Sequence, residues 1–104
     1  MSSIFHVIEE ELERLNEAKQ AYEAAIAREQ QGSPQVKHVG RKDYLYLARR
    51  NGGKVRYRYI GHVEKPDTAK VIESVKRRRE YEELLKGIKN DLKEVKKALR
   101  GRKI

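Results

Sequence analysis

The side chains with the greatest potential for chemistry are arginines, lysines and tyrosines in the middle of the chain. Residues 35–65 contain nine Lys or Arg against two Asp or Glu, a net charge of +7, together with four of the six tyrosines. Cationic groups neutralise phosphates and phenol rings stack on nucleobases, so this composition predicts a surface for DNA or RNA. Residues 1–34 have a net charge of −4, so the basic character lies outside the N-terminal segment.

Two groups of residues are candidates for contacts with such a polymer. In the first, arginines and lysines bind phosphates or base edges, and two tyrosines stack on or orient the ligand. The second is a run of three arginines that predicts a phosphate clamp, with an ordinary helix surface balanced by neighbouring glutamates as the alternative. The candidate nucleic-acid-binding residues are Arg41, Lys42, Tyr44, Tyr46, Arg49, Arg50, Lys54, Arg56, Arg58, Arg77, Arg78 and Arg79.

A predicted β-hairpin positions the first group. Two runs rich in Tyr, Leu, Val and Arg, residues 43–50 and 54–60, flank Asn51-Gly52-Gly53, and Asn-Gly between such runs is a strong hairpin signal. Residues 35–39 offer a short third strand. The whole hairpin region is expected to span residues 35–62.

The composition of each face of the hairpin depends on the length of its loop. We favour a three-residue loop that ends in a bulge at Gly53, which predicts one apolar and one mixed face. The apolar face then contains Leu45, Leu47, Val55, Tyr57 and Tyr59. The mixed face contains Tyr44, Tyr46, Arg50, Lys54, Arg56 and Arg58. The alternative is a two-residue Asn51-Gly52 loop, which groups Tyr44 and Tyr46 with Tyr57 and Tyr59.

Helices are predicted on both sides of the hairpin. Apolar residues recur at steps of three and four over residues 3–30 and again over residues 67–100, as in a coiled-coil seam. The first helix begins with acidic residues and the second ends with basic ones, so antiparallel packing pairs opposite charges. The predicted fold is mainly α with a β-hairpin (α+β), a long antiparallel helical hairpin with a β-ribbon inserted between its helices. We expect a single domain of residues 1–104.

The chain is short and highly charged, with 104 residues of which 39% are charged and 38% hydrophobic. Its core must be small, and without cysteine it has no disulfide to stabilise it. The second helix is also longer than the first. Its apolar residues Val95 and Leu99 therefore have no counterpart on the first helix and need another surface to cover them. Both observations predict a homodimer through the coiled-coil helices. No segment resembles a signal peptide or a membrane span, so a cytoplasmic protein without a membrane partner is expected.

No residue pattern predicts catalysis. The carboxylates lie on helix faces among lysines, and the sequence shows no nucleophile triad, glycine-rich phosphate loop or cofactor motif. His38 and His62 flank the hairpin and could approach one another, but two histidines without cysteine make a poor metal site. We therefore expect a protein that is not an enzyme and binds no metal or cofactor, with a tyrosine nucleophile in its arginine-rich surroundings as the alternative.

Residues 43–61 resemble a hairpin segment near the N-termini of some insertion-sequence transposases and in related small prokaryotic proteins. The closely matching residues are Arg50, Gly52, Gly53, Lys54, Val55, Arg56 and Gly61. The resemblance implies a role near DNA in a mobile element or in defence. This chain lacks the long catalytic region with its acidic triad, so the resemblance does not extend to transposase activity.

The leading hypothesis is a nucleic-acid-binding protein, with DNA favoured over RNA, that presents a basic hairpin on a dimeric coiled coil. The alternative is a protein–protein interaction module. In that case the helical seam binds another protein, such as a toxin, a nuclease or a transposase, and the hairpin determines specificity.

Overall fold

The computed structural model describes residues 3–101, which form two α-helices with a three-stranded sheet between them in the chain. The elements are α1 (Ser3–Arg28), β1 (Ser33–Val39), β2 (Lys42–Asn51), β3 (Lys54–His62) and α2 (Pro66–Gly101). The predicted α+β fold with a helical hairpin is confirmed, and the third strand offered by residues 35–39 is present and longer. Within residues 3–101, neither helix has a stretch long and apolar enough to cross a membrane.

The helix boundaries differ from the predicted ones by one or two residues. α1 ends at Arg28 rather than at residue 30, because the side chain of Glu29 and the backbone N–H of Gln30 both bond with Ser74. α2 begins at Pro66, which suits the first helical position because proline lacks an N–H group.

The chain divides into two compact units. The helical unit consists of the described residues within Met1–Ala27 and Glu80–Ile104. The sheet unit is Arg28–Arg79 and contains all three strands with the first turns of α2.

The helical unit is an antiparallel pair of helix segments. The rings of Tyr22 in α1 and Tyr81 in α2 lie 5.9 Å apart. Lys19, earlier in α1, lines a cavity together with Leu92 and Lys93, later in α2. The partners of an earlier residue in α1 thus come later in α2, as antiparallel packing requires. Leu15 and Leu92 are the buried apolar residues of this unit.

The sheet has the strand order β1-β2-β3, with both neighbouring pairs antiparallel. Its register is regular except on β3, where Ile60 has no partner because Tyr46 pairs with Tyr59 and Leu45 with Gly61. This β-bulge turns Gly61 toward the same face as Leu45.

The core of the sheet unit lies on that face. Leu45, Leu47 and Val75 are buried, and Thr68 near the start of α2 is buried with them. A Cβ added at Gly61 would lie only 2.8 Å from Thr68 Oγ1, so glycine allows α2 to approach the sheet. The core therefore depends on the bulge that brings Gly61 to this face.

Candidate functional site

The turn between β2 and β3 decides which candidate residues share a face. Gly52 and Gly53 have φ values of 59° and 83°, the positive values that both central residues of a two-residue type I′ turn adopt. Asn51 accordingly pairs with Lys54 across the turn. The favoured three-residue loop is wrong, and the alternative Asn51-Gly52 loop has the right length but lies one residue too early, because Gly52 and Gly53 close the turn.

The observed register redistributes the candidate residues between two faces. The tyrosine face carries, from β2 and β3, Tyr44, Tyr46, Ala48, Arg50, Val55, Tyr57, Tyr59 and His62. The arginine face carries Leu45, Leu47, Arg49, Asn51, Lys54, Arg56 and Arg58. The predicted apolar and mixed faces are both wrong. Most basic residues of the hairpin lie on the face of the sheet opposite the tyrosines, not on the same face.

The tyrosine face is a cluster of rings in mutual contact. The ring centroids of Tyr46 and Tyr59 are 5.4 Å apart in an edge-to-face arrangement, and those of Tyr44 and Tyr59 are 6.2 Å apart. Tyr57 and Tyr59 remain 56% and 54% exposed, whereas Tyr44 and Tyr46 are half-buried. The two rings on β3 are therefore open to a ligand, and that of Tyr59 is supported from the side by the rings on β2.

A lysine from β1 adds positive charge to this face. The ammonium group of Lys37 lies 4.7 Å from the ring centroid of Tyr46 and 5.0 Å from that of Tyr57, within cation–π range. Asp43 is the one carboxylate in the three strands, and it is bonded to His38 on the arginine face. The tyrosine face thus contains cations and rings but no carboxylate from the strands.

The arginine face contains a groove of about 380 Å³, here called the arginine groove. It is lined by Gln30, Gln31, Leu47, Arg49, Arg56, Tyr57 and Arg58. Arg49 and Arg56 pair directly across β2 and β3, and Arg58 donates a hydrogen bond to Gln30 Oε1 over 2.9 Å. Three arginine side chains therefore share one groove, and the amide of Gln30 orients that of Arg58.

The second predicted cluster has a structural role. Arg77 donates to Glu29 through Nε at 2.9 Å, and Arg78 donates to the backbone carbonyl of Glu29 at 3.2 Å. Ser74 adds a hydrogen bond to the same carboxylate at 2.5 Å. These hydrogen bonds lower the pKa of Glu29 below the ordinary 4.5. The bond from Arg77 has the largest effect, and the bond from Ser74 the next largest. Arg77 and Arg78 thus hold the segment that follows α1 to α2 within the sheet unit.

The remaining candidate residues lie elsewhere in the sheet unit. Lys42 begins β2, and Arg41 precedes it in the turn from β1. Both line a cavity that they share with the carboxylates Asp43 and Glu64. Arg79 is exposed on α2.

His38 and His62 are brought to opposite faces of the sheet. His38 bonds with Asp43 on the arginine face, and the ring of His62 lies 5.4 Å from that of Tyr44 on the other. Their predicted mutual approach is wrong, because β2 separates their strands. Among residues 3–101, no group of three His, Cys, Asp or Glu is placed to hold a metal ion.

Sequence reasoning did not include Lys37, Tyr57 or Tyr59 among the candidate residues. The two tyrosines were assigned to an apolar face by the favoured loop, and the alternative two-residue loop was the signal that grouped them correctly. Lys37 lies on β1, and its position over the rings depends on a strand pairing that local patterns do not reveal.

Fold and site together define a small α+β protein. Its two helices flank, in sequence, a three-stranded sheet with exposed tyrosines and arginines. Residues 8–70, more than half of the chain, match the family described as Domain of unknown function (DUF6788), and the protein belongs to this family. The matched segment includes all three strands and hence both the tyrosine face and the arginine groove. No curated protein and no solved structure matches the chain significantly.

Proposed function

We propose that this protein binds nucleic acid through the sheet of its sheet unit and does not act on it as an enzyme. The three strands contain seven Lys or Arg and a single Asp or Glu. Such a surplus attracts a polyanion, and each phosphate that a cation neutralises releases counterions. The resemblance of residues 43–61 to a hairpin of insertion-sequence transposases supports DNA, such as that of a mobile element, as the polyanion that is bound.

The observation that carries the proposal is the arginine groove. Arg49 and Arg56 lie directly opposite each other on neighbouring strands, an arrangement that destabilises a sheet when the charges are alike. Within residues 3–101, neither arginine forms an ion pair with a carboxylate. A phosphate bound between them would convert this repulsion into charge-assisted hydrogen bonds. The opposed pair is therefore best explained by an anionic ligand.

A salt titration tests the proposal. The affinity for a fluorescently labelled, mixed-sequence oligonucleotide is measured by anisotropy as the salt concentration rises. Three phosphate contacts in the groove predict that the logarithm of the association constant falls with a slope of about −2 to −3 against the logarithm of salt. A slope near zero would contradict the proposal. The recovered oligonucleotide should be intact on a denaturing gel, whereas cleavage products would contradict a non-enzymatic role.

We also propose that the protein is a homodimer through its helical unit. Ile4, Val7 and Leu84 are large apolar residues of this unit that are at least half exposed. Burying them against a second copy would remove apolar surface from water. Light scattering should give twice the 12.2 kDa mass of one chain, and Leu84→Glu should shift the mass toward one chain. A monomer at every concentration would instead favour the alternative, in which these side chains bind a different protein.

A further inference from the structure

We propose that the tyrosine face is a stacking platform for single-stranded nucleic acid, with bases lying on Tyr57 and Tyr59. The proposal rests on the proposed function and names its substrate class. The arginine groove lies on the other face of the sheet, and Tyr57 lines that groove as well. The faces of the bases are hidden inside a duplex, which exposes only their edges in the grooves. An unpaired strand presents those faces, and aromatic side chains on a sheet bind them regardless of sequence. Exposed rings therefore match a single strand better than a duplex.

The spacing of the two exposed rings supports this choice. Tyr57 and Tyr59 are two residues apart on β3 and point to the same face, so their backbone positions are about 6.8 Å apart. Successive nucleotides of one duplex strand rise by about 3.4 Å. Bases that lie on both rings must be separated from one another by about twice the duplex spacing. A single strand can extend in this way, but a paired duplex cannot.

The support beneath the rings is also suited to stacking. Tyr59 contacts Tyr46 edge-to-face and contacts Tyr44 as well, so its orientation is restricted before any base arrives. A restricted side chain loses less conformational entropy on binding than a mobile one. The half-buried tyrosines of β2 thus orient Tyr59, one of the two exposed tyrosines of β3.

Charge on this face distinguishes nucleic acid from an apolar protein partner. The ammonium group of Lys37 lies 5.0 Å from the ring centroid of Tyr57, so a base on that ring brings its phosphate near a cation. Arg50 shares the face, and Asp43, the one carboxylate of the strands, lies on the other. Rings next to cations, without carboxylates, are complementary to bases joined by phosphates.

Binding of matched oligonucleotides tests the proposal. Fluorescence anisotropy compares a deoxythymidine homopolymer, a uridine homopolymer and a random-sequence duplex with equal numbers of nucleotides. We expect either single strand to bind at least about tenfold more tightly than the duplex, as stacking on two rings requires. The homopolymer that binds more tightly identifies the preferred ligand as DNA or RNA. Equal or tighter binding of the duplex would overturn the inference while leaving the proposed function intact. Failure of all three to bind would overturn both.

Substitutions of one ring separate stacking from charge. Tyr57→Leu should weaken binding of the single strands about 5- to 150-fold, whereas the matched control Tyr57→Phe, which keeps the ring, should retain most of the affinity. The slope against salt should be the same for both variants, because neither changes a charge. Since Tyr57 is more than half exposed, both should fold, which circular dichroism checks. Equal affinities of the Leu and Phe variants would refute stacking.

Intrinsic fluorescence gives a second measurement. The chain has six tyrosines and no tryptophan, so its emission comes from tyrosine alone. A base that stacks on Tyr57 or Tyr59 should quench part of this emission, and Tyr57→Leu should reduce the quenching. An acidic polypeptide such as polyglutamate should neither quench the emission nor displace the oligonucleotide at equal charge concentration. Equal displacement would show that the face binds anions in general and would contradict the inference.

Discussion

The helical unit and the sheet unit contain 52 residues each, yet their net charges are −1 and +10. The helical unit has ten basic and eleven acidic residues, whereas the sheet unit has fifteen and five. The excess of +9 in the whole chain therefore belongs to one half of it. Charge that serves solubility has no reason to be confined to one unit, but charge that binds a polyanion does.

The two units also differ in how they use arginine. In the helical unit, Arg14 bonds with Glu11 one helical turn away. In the sheet unit, Arg77 bonds with Glu29, but Arg49 and Arg56 oppose each other across two strands. Among the described residues, only the sheet unit thus contains both kinds of arginine, those bonded to a carboxylate and those that oppose each other without one.

The largest expected effect concerns the core of the sheet unit. Leu45 is fully buried, so Leu45→Ala should lower the free energy of unfolding by about 2–5 kcal/mol through lost burial and a residual cavity. Urea unfolding followed by circular dichroism measures this. The control is Val36→Ala, whose side chain is half exposed next to Leu45 in the register, with an expected change within about 0.5 kcal/mol. Equal effects would show that the sheet is not packed as described.

The next effect tests the charge difference between the units directly. Arg49→Gln with Arg56→Gln should weaken oligonucleotide binding on the order of a hundredfold, because two charge-assisted contacts are lost together. Lys86→Gln with Lys97→Gln removes the same charge from exposed positions of the helical unit and should weaken binding less than about threefold. Equal losses in the two double variants would mean that net charge, not the groove, determines affinity.

A smaller effect compares one glycine in each unit. Gly61→Ala should destabilise the protein by about 1–3 kcal/mol, because the new Cβ would lie 2.8 Å from Thr68 Oγ1. Gly87→Ala, inside α2 with no atom near the added Cβ, should stabilise it by about 1 kcal/mol. Thermal unfolding of both variants measures the two changes. Shifts of the melting temperature in the same direction would contradict the close approach at Gly61.

Much of the fold followed from local patterns, whereas the composition of the site did not. The three-four spacing located both helices, and Asn51-Gly52-Gly53 located the turn, because these signals depend on neighbouring residues. The faces of the hairpin depend instead on whether its loop contains two or three residues, and the local sequence Asn51-Gly52-Gly53 permits both lengths. That single ambiguity moved Tyr57 and Tyr59 from an expected core face to an exposed one.

The roles of the arginine clusters also depended on contacts distant in sequence. The partner of Arg77 is Glu29, 48 residues earlier, and no local rule connects them. The charge excess of the middle segment, by contrast, is a property of composition and could be read directly. Local composition thus indicates where the cations are concentrated, while long-range pairing decides which of them already bond with a carboxylate.

The smallest effect concerns Glu29 and the response of the sheet unit to acid. The pKa of Glu29 is lowered in the folded protein, chiefly by the hydrogen bond from Arg77, so its contribution to stability is present above the ordinary 4.5 and is lost as pH falls through the folded value. Glu29→Gln should therefore be less stable than the parent protein at neutral pH, and this difference should shrink in acid. Urea midpoints at neutral pH and well below 4.5 measure it, with Glu73→Gln, an exposed carboxylate of the same unit, as the control for charge alone. A difference that stays constant with pH would show that the carboxylate of Glu29 does not hold the segment after α1 to α2 through its charge.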